Sequence, residues 1–158
     1  MDTRIVVGVD GSPAGRAALR WAAEEGKLRG CEVRAVLAWR VDYGMVIGPM
    51  SATVAASVDV AALRADHQAV LDDAVAEVGG DVRAVLVEGD AREVLVEQAA
   101  DAALLVVGSR GAGPIRQAFI GSVSSYCVHH APCPVVVIRG PEHERVEPKP
   151  VITPGPLL

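Results

Sequence analysis

Apolar positions along the chain fall into two patterns, short continuous runs and segments with helical spacing. The continuous runs, rich in Val, Ile and Leu, predict five β-strands at residues 4–9, 33–39, 82–88, 103–108 and 133–139. The segments between them predict four helices, at residues 13–28, about 57–78, after Asp90, and 122–130. In the first helix the spacing places Ala14, Ala18 and Leu28 on one apolar side. Residues 40–57 show no period and predict a loop.

The order of these elements, strand and helix repeated and then a closing strand, decides the fold class. Strands that are apolar along their whole length are buried on both faces, which is typical of a parallel sheet covered by helices. With right-handed crossovers, the chain is predicted to form a single doubly wound α/β domain over residues 1–140. Residues 141–158 contain five prolines and little periodicity, so we expect a flexible tail there.

Composition narrows the classes of partner. The net charge of −5 over 158 residues argues against broad nucleic-acid binding, which usually needs a basic face. No apolar run is long enough to cross a bilayer, so we expect no membrane association. The three cysteines, Cys31, Cys127 and Cys133, do not form an even-numbered disulfide framework, and reduced thiols in a cytoplasmic protein are the simplest interpretation.

The segment GSRGAGPIRQAFIGS, residues 108–122, carries the candidate chemistry. It leaves the carboxyl end of the fourth strand, where open parallel sheets bind ligands, and it enters a helix. Glycines allow backbone N–H groups to approach an anion, and the start of a helix adds unpaired N–H groups, so the segment suits phosphate. The alternative is a connection without a ligand, in which Ser122 simply caps the helix. A P-loop is excluded because no lysine follows the glycines, and Asp10 interrupts a dinucleotide fingerprint after the first strand.

The spacing Gly108-x2-Gly111-x9-Gly121-Ser122 resembles the ATP-binding signature of the universal stress protein family. The opening segment IVVGVDGSPAGRAALRWA and the closing segment VVGSRGAGPIRQAFIGSVSSYCVHHAPCPVVVI are also similar to that family, and the resemblance covers roughly residues 3–139. It implies a five-stranded parallel sheet in the order 3-2-1-4-5, with helices on both faces.

The resemblance further implies a cleft for ATP between the first and fourth strands, with Mg²⁺ or Mn²⁺ held mainly by the phosphates. Asp10 would lie near the ribose and adenine, although an aspartate at a strand end can also simply cap the next turn. The positions that match the family's nucleotide-binding residues are Gly8, Val9, Asp10, Ala38, Gly108, Gly111, Gly121, Ser122, Val123 and Ser124.

The expected function is that of a nucleotide-dependent stress-response switch and not of an enzyme, with ATP hydrolysis slow at most. The family commonly forms homodimers, and the apolar strand 134–138 is the expected interface. The alternatives are a dimeric interaction or signalling module that binds cyclic AMP or no nucleotide, and an enzyme related to adenylate-handling proteins. Cys127, His130 and Cys133 lack an evident fourth ligand, so no metal site is predicted there.

Overall fold

The computed structural model describes residues 3–42, 56–109 and 120–141. Their strands and helices alternate as the apolar pattern predicts. The elements are β1 (Arg4–Gly8), α1 (Pro13–Arg29), β2 (Glu32–Trp39), α2 (Val60–Val78), β3 (Val82–Glu88), α3 (Ala91–Gln98), β4 (Leu104–Gly108), α4 (Ser122–His130) and β5 (Val135–Ile138). The predicted tail lies outside the described residues beyond Pro141, as do residues 43–55 of the predicted loop.

The five strands form one parallel sheet in the order β3-β2-β1-β4-β5, which confirms the predicted fold class and strand order. β1 lies between β2 and β4, with Val7 level with Ala35 on one side and with Val106 on the other. The chain therefore winds outward in opposite directions from β1 and β4. In doubly wound sheets, such a reversal opens a crevice at the carboxyl edge of the sheet between the two strands.

Each face of the sheet is buried under a pair of helices, as the continuous apolar runs require. On one face, Ile5, Val7 and Leu37 pack with residues of α1 and α2, including Leu19 and Leu71. The opposite face is covered by α3 and α4, and its buried residues are Val6, Val36, Val94, Leu95, Ala99, Leu105, Val107 and Cys127. None of the described helices is both long and apolar enough to cross a membrane.

Three predicted details were wrong. The fifth strand begins at Val135, because Pro134 has no N–H and contributes only its carbonyl, which accepts from the N–H of Leu105. The second long helix begins at Val60, where the Asp59 side chain accepts from the N–H of Ala62 at 3.0 Å. Leu28 is 83% exposed and does not belong to the apolar side of α1.

Candidate functional site

The residues that follow β1 and β4 lie side by side at the carboxyl edge of the sheet. β1 pairs with β4 through Val7 and Val106, and continuing this register puts Val9 level with Gly108. The N–H of Val9 donates to the carbonyl of Val36 at 2.9 Å, so pairing with β2 extends one residue beyond Gly8. Asp10 therefore leaves the sheet beside the point at which β4 ends.

Asp10 is exposed, and its carboxylate organises the turn into α1. Its Oδ1 accepts hydrogen bonds from the backbone N–H of Ser12, at 2.9 Å, and from the Ser12 hydroxyl. The Ser12 Oγ in turn accepts from the N–H of Gly15 at 3.1 Å, as the N-cap of α1. One carboxylate oxygen thus has the turn-capping role that the sequence left open, and this hydrogen bonding fixes the position of the whole side chain.

Two glycines allow this turn to pack closely, and only one of them was singled out from the sequence. A Cβ at Gly15 would lie 2.7 Å from Asp10 Oδ1, so the carboxylate rests directly on the first turn of α1. A Cβ at Gly108 would lie 2.8 Å from the carbonyl carbon of Ala14 and 3.0 Å from its oxygen. Gly15 therefore positions Asp10, and Gly108 lets the end of β4 contact the amino end of α1.

The predicted site residues of β1 and β2 divide between the two faces of the sheet. Val9 is buried with α1 and α2. Gly8 lies on the other face, where a Cβ would be 2.9 Å from Cδ1 of Leu95, and half-buried Ala38 packs on the same cluster of α3 and α4. Gly8 and Ala38 thus border the crevice on the face that also carries α4.

The chain between Ser109 and Gly121 is closed by hydrogen bonds at its base. The N–H of Gly121 donates to the carbonyl of Ser109 at 2.7 Å, and the N–H of Ser109 donates to Ile138 at 2.8 Å. Ser124 is 2% exposed, and its hydroxyl donates to the carbonyl of Gly121 at 3.0 Å and more weakly to that of Ser109 at 3.4 Å. Ser124 therefore holds the loop base together. Ser109, which sequence reasoning did not select, is the residue on which the loop closes.

The amino end of α4 faces the crevice without a side-chain cap. Gly121 is its N-cap and contributes no side-chain hydrogen bond. Ser122 is the first helical residue, so the alternative in which Ser122 caps the helix was wrong. The N–H groups of Ser122, Val123 and Ser124 have no carbonyl within the helix four residues earlier, whereas the N–H of Ser125 donates to Gly121 at 2.9 Å. Such an end favours an anion, both through its N–H groups and through the helix dipole.

The remaining candidates are either outside the described residues or buried in the core. Gly111 lies in the segment 110–119, together with Arg110 and Arg116, and its role stays a prediction. Cys127 is fully buried, and desolvation, followed by the nearby Cys133, raises the pKa of its thiol to about 11. In the described part of the chain, no group of three His, Cys, Asp or Glu side chains could hold a metal ion.

The two histidines at the end of α4 have structural partners. Nδ1 of His129 donates to the carbonyl of Ser125, and Nδ1 of His130 donates to that of Tyr126, each at 2.9 Å. The His130 ring also stacks on Tyr126 with 4.0 Å between ring centroids. Each histidine ring thus bonds to the carbonyl four residues earlier in its own helix.

The model of the Universal stress protein family matches residues 1–139, which is most of the chain. The chain belongs to this family. Universal stress protein Rv2623 of Mycobacterium tuberculosis is 35% identical over 158 aligned positions, which cover 92% of this chain and 50% of the relative. A universal stress protein of Mycolicibacterium smegmatis is 32% identical, over 86% of this chain and 48% of the relative. The chain thus spans about half the length of these curated relatives.

Solved structures share the fold over most of the chain. Universal stress protein UspA from Lactobacillus plantarum superimposes with a TM-score of 0.63 at 24% identity, covering 87% of this chain and 98% of that one. A universal stress protein in complex with cAMP gives 0.57 at 22% identity, covering 86% and 95%. The universal stress protein from Archaeoglobus fulgidus in complex with dAMP gives 0.51 at 25% identity, covering 87% and 99%.

Proposed function

We propose that this universal stress protein binds an adenine nucleotide, ATP in particular, in the crevice between β1 and β4. The observation that carries the proposal is the uncapped amino end of α4, which lies at the strand-order reversal and shares its crevice with Asp10. Three N–H groups and the helix dipole suit a phosphate, and the exposed carboxylate of Asp10 suits a ribose hydroxyl. The cAMP and dAMP complexes of the structural relatives support the choice of an adenine nucleotide.

The described residues suit a nucleotide that brings its own metal ion. They contain no group of three side chains that could hold a cation, while the phosphates of ATP chelate Mg²⁺ or Mn²⁺. The metal ion would therefore be bound mainly by the phosphates. When bound, it neutralises phosphate charge, and the chain's own part is to hold the phosphates through the N–H groups of Ser122, Val123 and Ser124.

The site has the features of a binding module. Asp10 is the carboxylate that follows β1, and in this proposal its second oxygen binds the ribose and not an attacking water at the phosphates. We therefore propose a cytoplasmic nucleotide-dependent switch with at most slow hydrolysis. The second candidate is a signalling module that takes cyclic AMP, which the cAMP complex of a structural relative favours.

The homodimer is part of the same proposal. β5 is an edge strand of four apolar residues, Val135–Ile138, each of them only half-buried, and such an edge is prone to pair with another chain. We expect two copies to meet through residues 134–138. Light scattering should give twice the monomer mass at micromolar concentration, and a monomer there would contradict the dimer without affecting the nucleotide site.

The decisive experiment identifies and measures the nucleotide. Mass spectrometry of small molecules released from freshly purified protein should find an adenine nucleotide, and calorimetry should rank ATP, AMP, cyclic AMP and adenosine. Gly121→Val should weaken ATP binding more than about tenfold, because a branched side chain would cover the amino end of α4. Equal affinity of the wild type and Gly121→Val would remove the α4 end from the site.

A matched pair on α4 refines this test. Ser122→Ala removes a hydroxyl from the exposed end, whereas Ser125→Ala alters the next turn, where the N–H is already bonded to Gly121. We expect the first change to weaken ATP binding several-fold and the second to leave it unchanged. A larger loss of ATP affinity in Ser125→Ala than in Ser122→Ala would mean that the phosphates do not bind at the amino end of α4.

A further inference from the structure

Three arginines lie together at the opposite edge of the sheet from the crevice, on the face that carries α3 and α4. Arg34 of β2 is level with Val6 of β1 and with Arg83 of β3. Val6 is buried against the α3 and α4 side, and residues level with one another in a parallel sheet point to the same face. Arg4 precedes Val6 by two residues, so it shares that face. We call Arg4, Arg34 and Arg83 the arginine cluster.

The arginine cluster has fewer neighbouring carboxylates than guanidinium groups. In the described ranges, Glu32 is the only carboxylate within 4.0 Å of any of the three guanidinium groups, and it pairs with Arg34 at 3.3 Å. Arg34 and Arg83 stand directly side by side on neighbouring strands, an arrangement of like charges that destabilises a sheet. Positive charge is thus concentrated here in a chain whose formal net charge is −5.

Two of the guanidinium groups carry a buried donor without an acceptor. The Nε atoms of Arg4 and Arg34 are inaccessible to solvent and have no hydrogen-bond partner. The side chain of Arg34 is only 16% exposed. Buried polar atoms in proteins are nearly always hydrogen-bonded, and an exception often marks a place for a bound ion or water. The two orphan donors therefore point to a missing acceptor at the arginine cluster.

The helices of this face leave room for a ligand. α3 has eight residues and so spans about 12 Å, whereas α1 on the other face has seventeen. α3 packs through Val94 and Leu95 near the carboxyl half of the sheet. The chain then returns at once to the amino edge, where the N–H of Ala103 donates to the carbonyl of Arg4 at 2.9 Å. The amino half of β3 is left open on this face, and Arg83 is exposed.

We propose that the arginine cluster binds an oxyanion, the phosphate or carboxylate group of a small anionic ligand, at a site separate from the nucleotide crevice. Guanidinium groups present paired N–H donors in a plane that matches the oxygens of such groups. The anion would separate the like charges of Arg34 and Arg83, and the side chains that cover the two Nε–H groups would move aside so that it accepts from them. The ligand would enter from the solvent side, past the exposed Arg83 side chain.

The test observes the arginine donors directly. In ¹⁵N-labelled protein, the Nε–Hε signals of Arg4 and Arg34 are followed by NMR during titration with inorganic phosphate and, separately, with succinate. Sodium chloride at matched ionic strength is the control. We expect at least one of the two oxyanions to shift both signals saturably, and the better of them distinguishes a phosphate ligand from a carboxylate ligand. These signals do not report on α4, so the outcome is independent of the nucleotide proposal.

Variants complete the test. Arg83→Gln alters an exposed position and should weaken the anion about tenfold, as expected for loss of a charged hydrogen bond. Arg34→Lys keeps the charge but removes Nε and should also weaken it. Arg64→Gln, an exposed change on α2, is the matched control and should have no effect. Signals that follow chloride equally, or that stay unmoved because water satisfies the donors, would overturn the proposal, as would unchanged binding in Arg83→Gln.

Discussion

The amino ends of α1 and α4 flank the same crevice, but their unpaired N–H groups are treated differently. At α1, Ser12 Oγ accepts from Gly15, and Asp10 accepts from Ser12, so side chains of the chain itself complete the helix. At α4, the N-cap is Gly121, which has no side chain to offer. One end is capped by a side chain, and the other has no side-chain cap among the described residues.

The other two described helices follow α1 and not α4. Asp59 accepts from the N–H of Ala62 at the start of α2, and Asp90 accepts from the N–H of Arg92 at the start of α3. A side-chain cap is thus the ordinary arrangement in the described part of this molecule. The proposed nucleotide site rests on this difference: the informative feature is the omitted cap at α4, and not merely the presence of a helix start.

The largest expected effect on stability comes from Gly108, which lets the end of β4 contact the amino end of α1. Gly108→Ala would drive a methyl group into the backbone of Ala14 and should lower the free energy of unfolding by about 2–3 kcal/mol. Gly8→Ala on the neighbouring strand is the matched control, because its methyl group meets the movable end of the Leu95 side chain. Urea unfolding followed by circular dichroism should separate the two variants. Equal losses would mean that the α1 end can move away from β4.

A second change should convert the α4 end into one that resembles α1. In Gly121→Asp, the new carboxylate would accept from the helix N–H groups and repel phosphate, so ATP affinity should fall more than about tenfold, while stability changes by only a few tenths of a kcal/mol. Gly121→Ser adds a cap without charge and should cause a smaller loss. Calorimetry measures both. Unchanged ATP binding in Gly121→Asp would contradict the proposed role of the open end.

The apolar pattern predicted the fold because its strands are short and continuous, and because the central strands β1 and β4 are buried on both faces, whereas β3 and β5 at the edges are only partly buried. The runs ending at Gly8 and Gly108 predicted two neighbouring strands correctly once the family order was applied. The prediction for Leu28 was wrong because α1 runs past its last tight contact with the sheet, where Gly26 packs against the Val33 side chain. Helical spacing does not reveal where the neighbouring sheet ends.

The candidate site was predicted in part, and the omissions share one physical cause. Gly15, Ser109 and the arginine cluster are defined by three-dimensional contacts that residue preferences do not reveal, such as Asp10 Oδ1 lying on Gly15. The position of Gly121 as the N-cap of α4 is likewise accompanied by a long-range contact, the hydrogen bond from its N–H to the carbonyl of Ser109. Local residue preferences favour serine as a helix cap, and the loop closure overrides them here.

A third prediction removes the internal cap at α1. Ser12→Ala should lower the free energy of unfolding by about 1 kcal/mol, because Gly15 loses its acceptor. Asp59→Ala is the matched control, since it removes the cap of α2 at an exposed position. Only Ser12→Ala also removes the hydroxyl that donates to Asp10 and leaves Asp10 held by the backbone N–H of residue 12 alone, so adenosine binding should weaken a few-fold in that variant and stay unchanged in Asp59→Ala. Equal adenosine binding in the two variants would mean that Asp10 does not contact the nucleotide.

The smallest expected effect tests whether a capped end carries a charge that titrates. Hydrogen bonds from the Arg92 side chain and backbone, the first at 2.9 Å from Nε, lower the pKa of Asp90 from 3.8 to about 2. Because the pKa is lower in the folded state, the stabilisation is complete above about pH 4 and is lost as the pH falls towards 2. Asp90→Asn retains a capping oxygen without the charge, so the wild type should be more stable at pH 7 by less than about 1 kcal/mol, as for other surface pairs.

Urea midpoints of the wild type and Asp90→Asn at pH 7, 4 and 3 measure this difference, which should shrink between the last two. Arg92→Gln removes the largest cause of the lowered pKa and should reduce the pH dependence of the gap, while the backbone N–H of residue 92 and the Arg40 guanidinium at 3.3 Å still favour the charged carboxylate. If the stability difference between the wild type and Asp90→Asn stays constant with pH, Asp90 stabilises α3 only as a hydrogen-bond acceptor and its charge contributes nothing. In that case the α3 cap, like Ser12 at α1, would work through a neutral hydrogen bond, and charge would matter only at the end that Gly121 leaves open.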